Sequence, residues 1–557
     1  MDERITKGRQ ALASGDRTTA ITAFEAVLAD EPDNLAALIP LGRAHMLSSA
    51  FKEAGEVFTR ATQVDPDHAE SWRSLAECLR FRDKLDDALE AIGRARVLAP
   101  DNPRILAQDV FIAMRACAWD GLEETRANLR DITYKTIARG EPSPKRPFMA
   151  ATCYDDPMLA LAVGRAESAR LPVRKLPASP AGRPAGKKLT IGYLSAGFGN
   201  HPTGQLVRNL FGHHNHKRMA IIALDIGRND GSELRREIRE SCDGVLDLQK
   251  LSDHDAALAI RKAGIDILVD LHGWLQNHRM AIAAHRPAPV QVSWLGFPGT
   301  TGAPFFDYLL GDATVTPGNH QRFFSERLVR LPGCYQPNDS DPSVAATPSR
   351  KSVGLPDDRL VMACFNVAYK IEPQSFAAWC EVLRKVPDSV LWLLDTNTTA
   401  RRNLSDQAKR HGLSADRLFF APFANKPDHL ARLTLADMAL DTGICNGHTT
   451  TTDALWAGVP VVTRLGKHFA SRVAASLLTA AGMKGQVAAN PAAFVDKSVF
   501  LANNPERRAQ LRKHLISGRN SLPLFETPRL ARHLEVAYQA MWDRHRQNLP
   551  PAAFEMA

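Results

Sequence analysis

The sequence predicts an array of antiparallel helix pairs followed by two doubly wound α/β halves. Three observations carry that prediction. The first 102 residues repeat with a period of 34, short apolar runs alternate with helical stretches from Leu189 onward, and a Pro-, Ser- and Asp-rich break at Cys334–Arg350 divides that alternating stretch in two. At 557 residues the chain is too long for one core and implies three to four domains.

The repeat is read by writing three copies from Met1, Leu35 and Ala69. A small residue falls on Gly8, Gly42 and Ala76, and the later pairs fall on Ala20/Phe24, Ala54/Phe58 and Ala88/Ile92. Each copy ends in a proline, at Pro32, Pro66 and Pro100. This is the tetratricopeptide pattern of two antiparallel helices with small residues where they touch. One such unit cannot bury its apolar face alone, so neighbours must stack. Pro103 to Leu129 reads as helical without the pattern, as a terminal cap would. The expected boundaries are 1–130 for repeats and cap, and 131–188 for a helical connector ending in an exposed linker, Pro172–Lys188. A concave surface recruiting a partner protein is the function expected of the array; a stability module or a dimer contact, giving a homo-oligomer, is the alternative.

From Leu189 the texture changes. Leu189–Leu194 and Ile265–Leu271 read as buried parallel strands, and Glu233–Arg239 and His254–Lys262 read as helices. After the break, strands are expected at 360–365, 390–394, 418–420, 438–440 and 460–463, and a helix at Arg529–Arg546. Two such halves, 189–345 and 346–557, fit the two-Rossmann architecture called GT-B. Ligands there bind between the halves at strand C-terminal ends, and the last helix often crosses back to the first half.

Composition narrows the function classes. The net charge of +9 is mild and suits an anionic substrate such as a nucleotide diphosphate. Nucleic acid is disfavoured, because no Lys/Arg run with interleaved aromatics occurs. Eight scattered cysteines without a C-x-x-C pair predict reduced thiols in a cytoplasmic protein, with neither a disulfide scaffold nor a zinc site. Met1-Asp2-Glu3-Arg4 opens without an apolar signal region, and no run of about 18 apolar residues predicts a membrane span.

The chemistry concentrates in Leu440–Pro460. Asn446-Gly447 turns the backbone, and Thr449–Thr452 open a helix whose free N–H groups and partial positive charge suit a phosphate. His448 is placed to donate to a phosphate oxygen, and Asp453, one turn on, to hold a ribose hydroxyl. Lys370 follows a strand end and can neutralise a departing diphosphate together with that helix start. With no Asp-x-Asp at a plausible strand end, no metal is expected. His201, after the first strand, is a candidate base for an acceptor hydroxyl. His272 stands at another strand end. Gly197-Phe198-Gly199 lacks the third glycine of a dinucleotide fingerprint, which excludes NAD. His213, His214 and His216 lack a Cys or carboxylate to complete a metal set and read as a solvated loop or helix end.

These segments resemble, in order, those of the O-GlcNAc transferase family, glycosyltransferase family 41, which places N-acetylglucosamine on Ser and Thr of proteins. The motifs are Gly199–Gly204, Arg286–Gln291, Pro298–Ala303, Cys364-Phe365-Asn366 with Tyr369-Lys370, Val386–Leu394, Leu440–Pro460 and Ala470–Ser476. The resemblance implies UDP-GlcNAc as donor without a metal cofactor. It implies Lys370 on the pyrophosphate, Thr449 and Thr450 on phosphate beside His448, and Asp453 on the ribose. It also places Lys426 against the nucleoside, His429 on the uracil and Arg432 near the base. Ala424, Asn366 and Cys445 complete the nucleotide-sugar set. His201 lies in the implied active site, with the base either this histidine or a donor phosphate oxygen. His272, Thr203, Leu295, Gly296 and Pro298 belong to the implied sugar and acceptor pocket.

The chain departs from the family at Val367, at His272-Gly273-Trp274-Leu275 and at Leu465-Gly466-Lys467-His468, all toward the sugar and pyrophosphate. The short array and the small break resemble the compact bacterial relatives. Alternatives are GDP-fucose or a bacterial surface or flagellar sugar on the same fold, or a non-catalytic repeat adaptor.

Overall fold

The computed structural model describes residues 2–177, 187–339 and 341–556. It forms two compact units, Met1–Thr136 with Thr396–Gln407, and Ile137–Asp395 with Ala408–Ala557. Part of the expected linker, 178–186, lies outside the described residues.

In the first unit the three copies fold as helix pairs, Glu3–Ser14 with Arg17–Asp30, Leu35–Leu47 with Phe51–Val64, and Ala69–Phe81 with Leu85–Leu98. Side chains of Asp2, Asp16, Asn34 and His68 cap helix starts in these copies. The small repeat positions have a direct cause. A Cβ on Gly8 would lie 2.6 Å from the Phe24 ring, and one on Gly42 2.6 Å from the Phe58 ring. The third copy pairs Ala76 with the smaller Ile92, both fully buried. The expected break after residue 130 falls inside the helix Leu122–Ala138. Leu129, Thr133 and Thr136 continue its buried face, so packing carries the helix on.

The second unit holds two parallel sheets. Strands β1 to β7 are Leu189–Ser195, Met219–Asp225, Gly244–Asp247, Ile267–Asp270, Val290–Ser293, Tyr308–Asp312 and Arg327–Leu331. Strands β8 to β13 are Leu360–Cys364, Ser389–Leu394, Leu418–Ala421, Met438–Leu440, Val461–Arg464 and Val487–Ala488, and β14 is Phe554–Glu555. The first sheet runs β14-β7-β6-β5-β4-β1-β2-β3 and the second β10-β9-β8-β11-β12-β13. Counted from its own first strand, each contains the order 3-2-1-4-5-6 of a doubly wound nucleotide fold. Its crevice opens where the order reverses, between β1 and β4 and between β8 and β11.

The C-terminal stretch crosses back, as expected of the last helix, and completes the first half. Along the helix Thr527–Arg546, the Tyr538 hydroxyl lies 3.0 Å from that of Tyr193 on β1. Glu535 accepts the Asn215 N–H at 2.7 Å, and β14 pairs with β7. This corrects the reading of His214 as solvated: its ring is buried, 2.9 Å from the Tyr193 hydroxyl and facing Glu535. The connector helices Pro147–Cys153 and Pro157–Ser168 touch both halves. The carboxylate of Asp155, between them, accepts from Lys467 N–H and Ser471 Oγ. Gly164 lies against Thr301, where a Cβ would approach the carbonyl oxygen to 2.6 Å.

Candidate active site

The second crevice brings together the loop after β8 and the loop after β11. Asn366, buried just past β8, donates through Nδ2 to Thr442 Oγ1 at 2.9 Å and to Asp441 Oδ1 at 3.2 Å. Its Oδ1 accepts the Thr450 hydroxyl at 2.5 Å. Asp441 also accepts Gly447 N–H and the Thr463 hydroxyl, each at 2.7 Å. One buried carboxylate thus ties β8, β11, β12 and the glycine turn into one frame. Burial lifts its pKa to about 6, against the pull of these donors and Lys370. Lys370 ends a short 3-10 turn, Ala368–Lys370, and its Nζ donates to the Asn446 carbonyl at 2.8 Å. Cys445, buried, contributes its carbonyl to the Thr442 hydroxyl.

That frame presents the start of the helix Thr449–Trp456. Gly447 is required there, since a Cβ would meet the hydroxyls of Thr451 and Thr450 at 2.5 and 2.6 Å. His448 occupies the cap position without a side-chain capping bond, and its Nε2 is buried without a hydrogen-bond partner. Burial, Lys370 and His468 keep its pKa well below the usual imidazole value.

A second group gathers around Asp453. Its carboxylate is ion-paired with Lys426, and His429 Nε2 stands 3.8 Å away. Lys426, His429 and Arg432 lie on one helix, Lys426–Leu433, started by the Asn425 cap that follows half-buried Ala424. Arg432 donates to His429 Nδ1, which leaves the proton on Nε2, and also to the Pro422 carbonyl at 2.6 Å. Phe365 meets the His429 ring edge-on, with centroids 5.0 Å apart. Burial, Arg432 and Lys426 push His429 down to about 3, so the ring is neutral and fixed for stacking.

The first crevice gathers His201, Thr203 and His272. His201 Nδ1 accepts the Thr203 N–H at 3.2 Å, and the His201 and His272 ring centroids are 6.2 Å apart. Burial, then His272, pushes His201 down to about 4. In that neutral ring Nδ1 is an acceptor, so Nε2 carries the proton and offers a donor. His272 is buried, with Nε2 on the Gln276 carbonyl at 2.8 Å. Leu295 holds φ +76°, costly for a branched side chain, and Gly296 could not take a Cβ, which would lie 2.1 Å from the Leu271 carbonyl oxygen. Pro298 follows in the same buried turn.

A narrow cleft joins the halves. Gln205 and Leu206, on the helix begun by Pro202, face Lys426, Thr449, Thr452 and Asp453 across it. Asn338 and Asp339 line it too, and Gln336 donates to the Thr452 hydroxyl at 3.0 Å. No sequence signal gives a role to Asp441, Gln336 or His468. His468 is buried and bonds Asp155, Ser471 and the Ala151 carbonyl, which ties the loop after β12 to the connector. Among the described residues no cluster of His, Cys, Asp or Glu could hold a metal ion, and no helix is long and apolar enough to cross a membrane.

Comparisons with known proteins agree with this fold. The tetratricopeptide repeat model matches residues 5–67 and 46–107. The chain is 36% identical over 460 residues to a probable UDP-N-acetylglucosamine–peptide N-acetylglucosaminyltransferase of Arabidopsis thaliana, covering 79% of this chain and 47% of the relative. It is 28% identical over 478 residues to the corresponding Caenorhabditis elegans transferase, covering 66% and 42%. It therefore spans less than half the length of these curated relatives. A solved Thermobaculum terrenum O-GlcNAc transferase mutant superposes with a TM-score of 0.71 at 28% identity, over 98% of both chains. The model named Glycosyl transferase family 41 matches residues 177–341 and 336–534, which contain both crevices, so the chain belongs to that family.

Proposed function

We propose that this protein is an inverting O-glycosyltransferase that moves N-acetylglucosamine from UDP-GlcNAc to Ser or Thr hydroxyls of a protein recruited by its repeats. The observation that carries the reading is the second crevice, where Lys370, His448 and the start of the Thr449 helix converge beside the Asp453–Lys426–His429 group. Diphosphate, ribose and base each meet a matching partner along that line. The acceptor oxygen attacks C1, the bond from C1 to the UDP oxygen breaks, and the acceptor proton passes to a phosphate oxygen. Lys370 and the helix start take up the charge of the departing UDP, so turnover needs no divalent metal. His201 offers Nε2–H in this tautomer, which supports a role as donor and positioning residue rather than base. Eight cysteines, none in a disulfide and seven of them buried, suit a reducing cytoplasm.

The test is mass spectrometry of Ser- and Thr-containing proteins after incubation with UDP-GlcNAc, with GDP-fucose in parallel and chelator in both. An N-acetylhexosamine increment that survives chelator supports the proposal. A deoxyhexose increment from GDP-fucose alone overturns the donor, and release of no nucleotide from either leaves the adaptor reading.

A further inference from the structure

The repeat array carries a groove of definite chemistry. Helices Leu35–Leu47 and Glu3–Ser14 line it with Leu12, Ile39 and Pro40 between Arg9 and Arg43, and His68 closes one end. Arg9 and Arg43 are 34 residues apart, at the same place in successive repeats, and both are exposed. Arg9 has no ion pair among the described residues. Arg43 reaches only Glu70, at 3.9 Å, and that carboxylate is already held by Arg73 at 2.7 Å. Residues 1–138 hold 18 Lys and Arg against 23 Asp and Glu, so this basic, apolar-floored groove interrupts an otherwise acidic module. Pro40 adds a further feature. It stands inside a helix, has no N–H, and leaves the Ala36 carbonyl at the groove without its helical donor.

We propose that this groove docks an acidic polypeptide segment. Arg9 and Arg43 pair with its carboxylates one repeat apart, Leu12, Ile39 and Pro40 cover its apolar side chains, and the Ala36 carbonyl accepts one of its N–H groups. Two guanidiniums flanking an apolar strip favour carboxylates spaced along a chain. The inference rests on the repeats being the recruiting surface of the proposed transferase, so its test reads binding alone.

The probe is a fluorescein-labelled peptide with Glu spaced between Ala and Leu, beside a counterpart with Lys for each Glu, titrated with the full chain and followed by anisotropy. The acidic peptide is expected to bind, more weakly as salt rises. The double variant R9E/R43E is expected to lose at least ten-fold in affinity for it and to gain affinity for the Lys peptide. Both side chains are exposed, and an unchanged melting temperature and UDP-induced shift confirm that the variant folds. R9A/R43A, with a smaller loss, is the second variant. Equal binding of both peptides, unchanged binding by the double variant, or preference for a single-stranded RNA of equal charge would overturn the proposal. Absent glycosyl transfer with intact peptide binding would count against the proposed reaction and not against the groove.

Discussion

The two α/β halves share one strand order and differ in what they place where it reverses. In the second, Lys370, His448 and the first turn of Thr449–Trp456 surround the crevice between β8 and β11. In the first, the crevice between β1 and β4 holds the imidazoles of His201 and His272 and a tightly packed turn at Leu295-Gly296. One topology therefore supplies two kinds of chemistry. On the proposed function, the second half serves a charged leaving group, and the first a neutral hydroxyl nucleophile and the sugar beside it.

The sharpest way to break that contrast is Lys370→Ala. Losing one preorganised cation at the leaving group is expected to lower kcat by about 10²–10³-fold. The Lys370 ammonium donates to the Asn446 carbonyl and forms no ion pair among the described residues, so a melting temperature within about 2 °C of wild type is expected. Steady-state kinetics beside a thermal scan check both, and normal turnover would remove Lys370 from the mechanism.

Asp441→Asn comes next. Asn brings an amide N–H₂ against groups that are themselves donors, so donor-substrate affinity is expected to fall about ten-fold, roughly 1.4 kcal/mol. The pH dependence is signed. Asp441 binds its proton more tightly folded, at about 6, than unfolded, near 3.9, so its contribution to stability is full below about 4 and is lost as pH rises to about 6. UDP affinity should run the other way, weakening below pH 6 as the acceptor of the Gly447 N–H is protonated. Calorimetry on wild type and variant from pH 5 to 8 separates this from titration of UDP itself, and parallel profiles for the two proteins would sink the idea.

In the first half, His201→Gln keeps a donor whereas His201→Ala removes it. The glutamine variant is expected to retain about ten-fold more kcat, and neither should shift the pH profile above 5, because His201 already titrates near 4. An alkaline-shifted limb lost in both variants would restore His201 as the base. The smallest effect on the site itself belongs to a change outside both halves. Gly42→Ala should cost the repeat array about 1–3 kcal/mol by pressing on Phe58, and Phe58→Ile in the same chain should recover part of it, as the Ala76/Ile92 pair suggests. UDP affinity should not change in either protein.

What the sequence revealed follows from locality. The 34-residue repeat, the strand before Asn366 and the turn into Thr449 are contiguous signals, and the helices and strands lie where they point. The ties that hold the site are not contiguous. Asp441 reads as the end of a buried strand until Thr463 and Asn366 close on it from other strands. His468 reads as a departure from the family pattern until Asp155, over 300 residues earlier, meets it. His214 reads as one of a solvated histidine cluster until the C-terminal helix brings Glu535 to it. The short strands β2, β3 and β5 to β7 escaped because strands of four to seven residues carry little periodicity of their own.

The most direct test of the division between the halves is UDP titration calorimetry on wild type, Asp453→Ala and His201→Ala. The account predicts at least a ten-fold loss of UDP affinity in Asp453→Ala and wild-type affinity in His201→Ala. Equal losses in both, or a loss confined to His201→Ala, would contradict it.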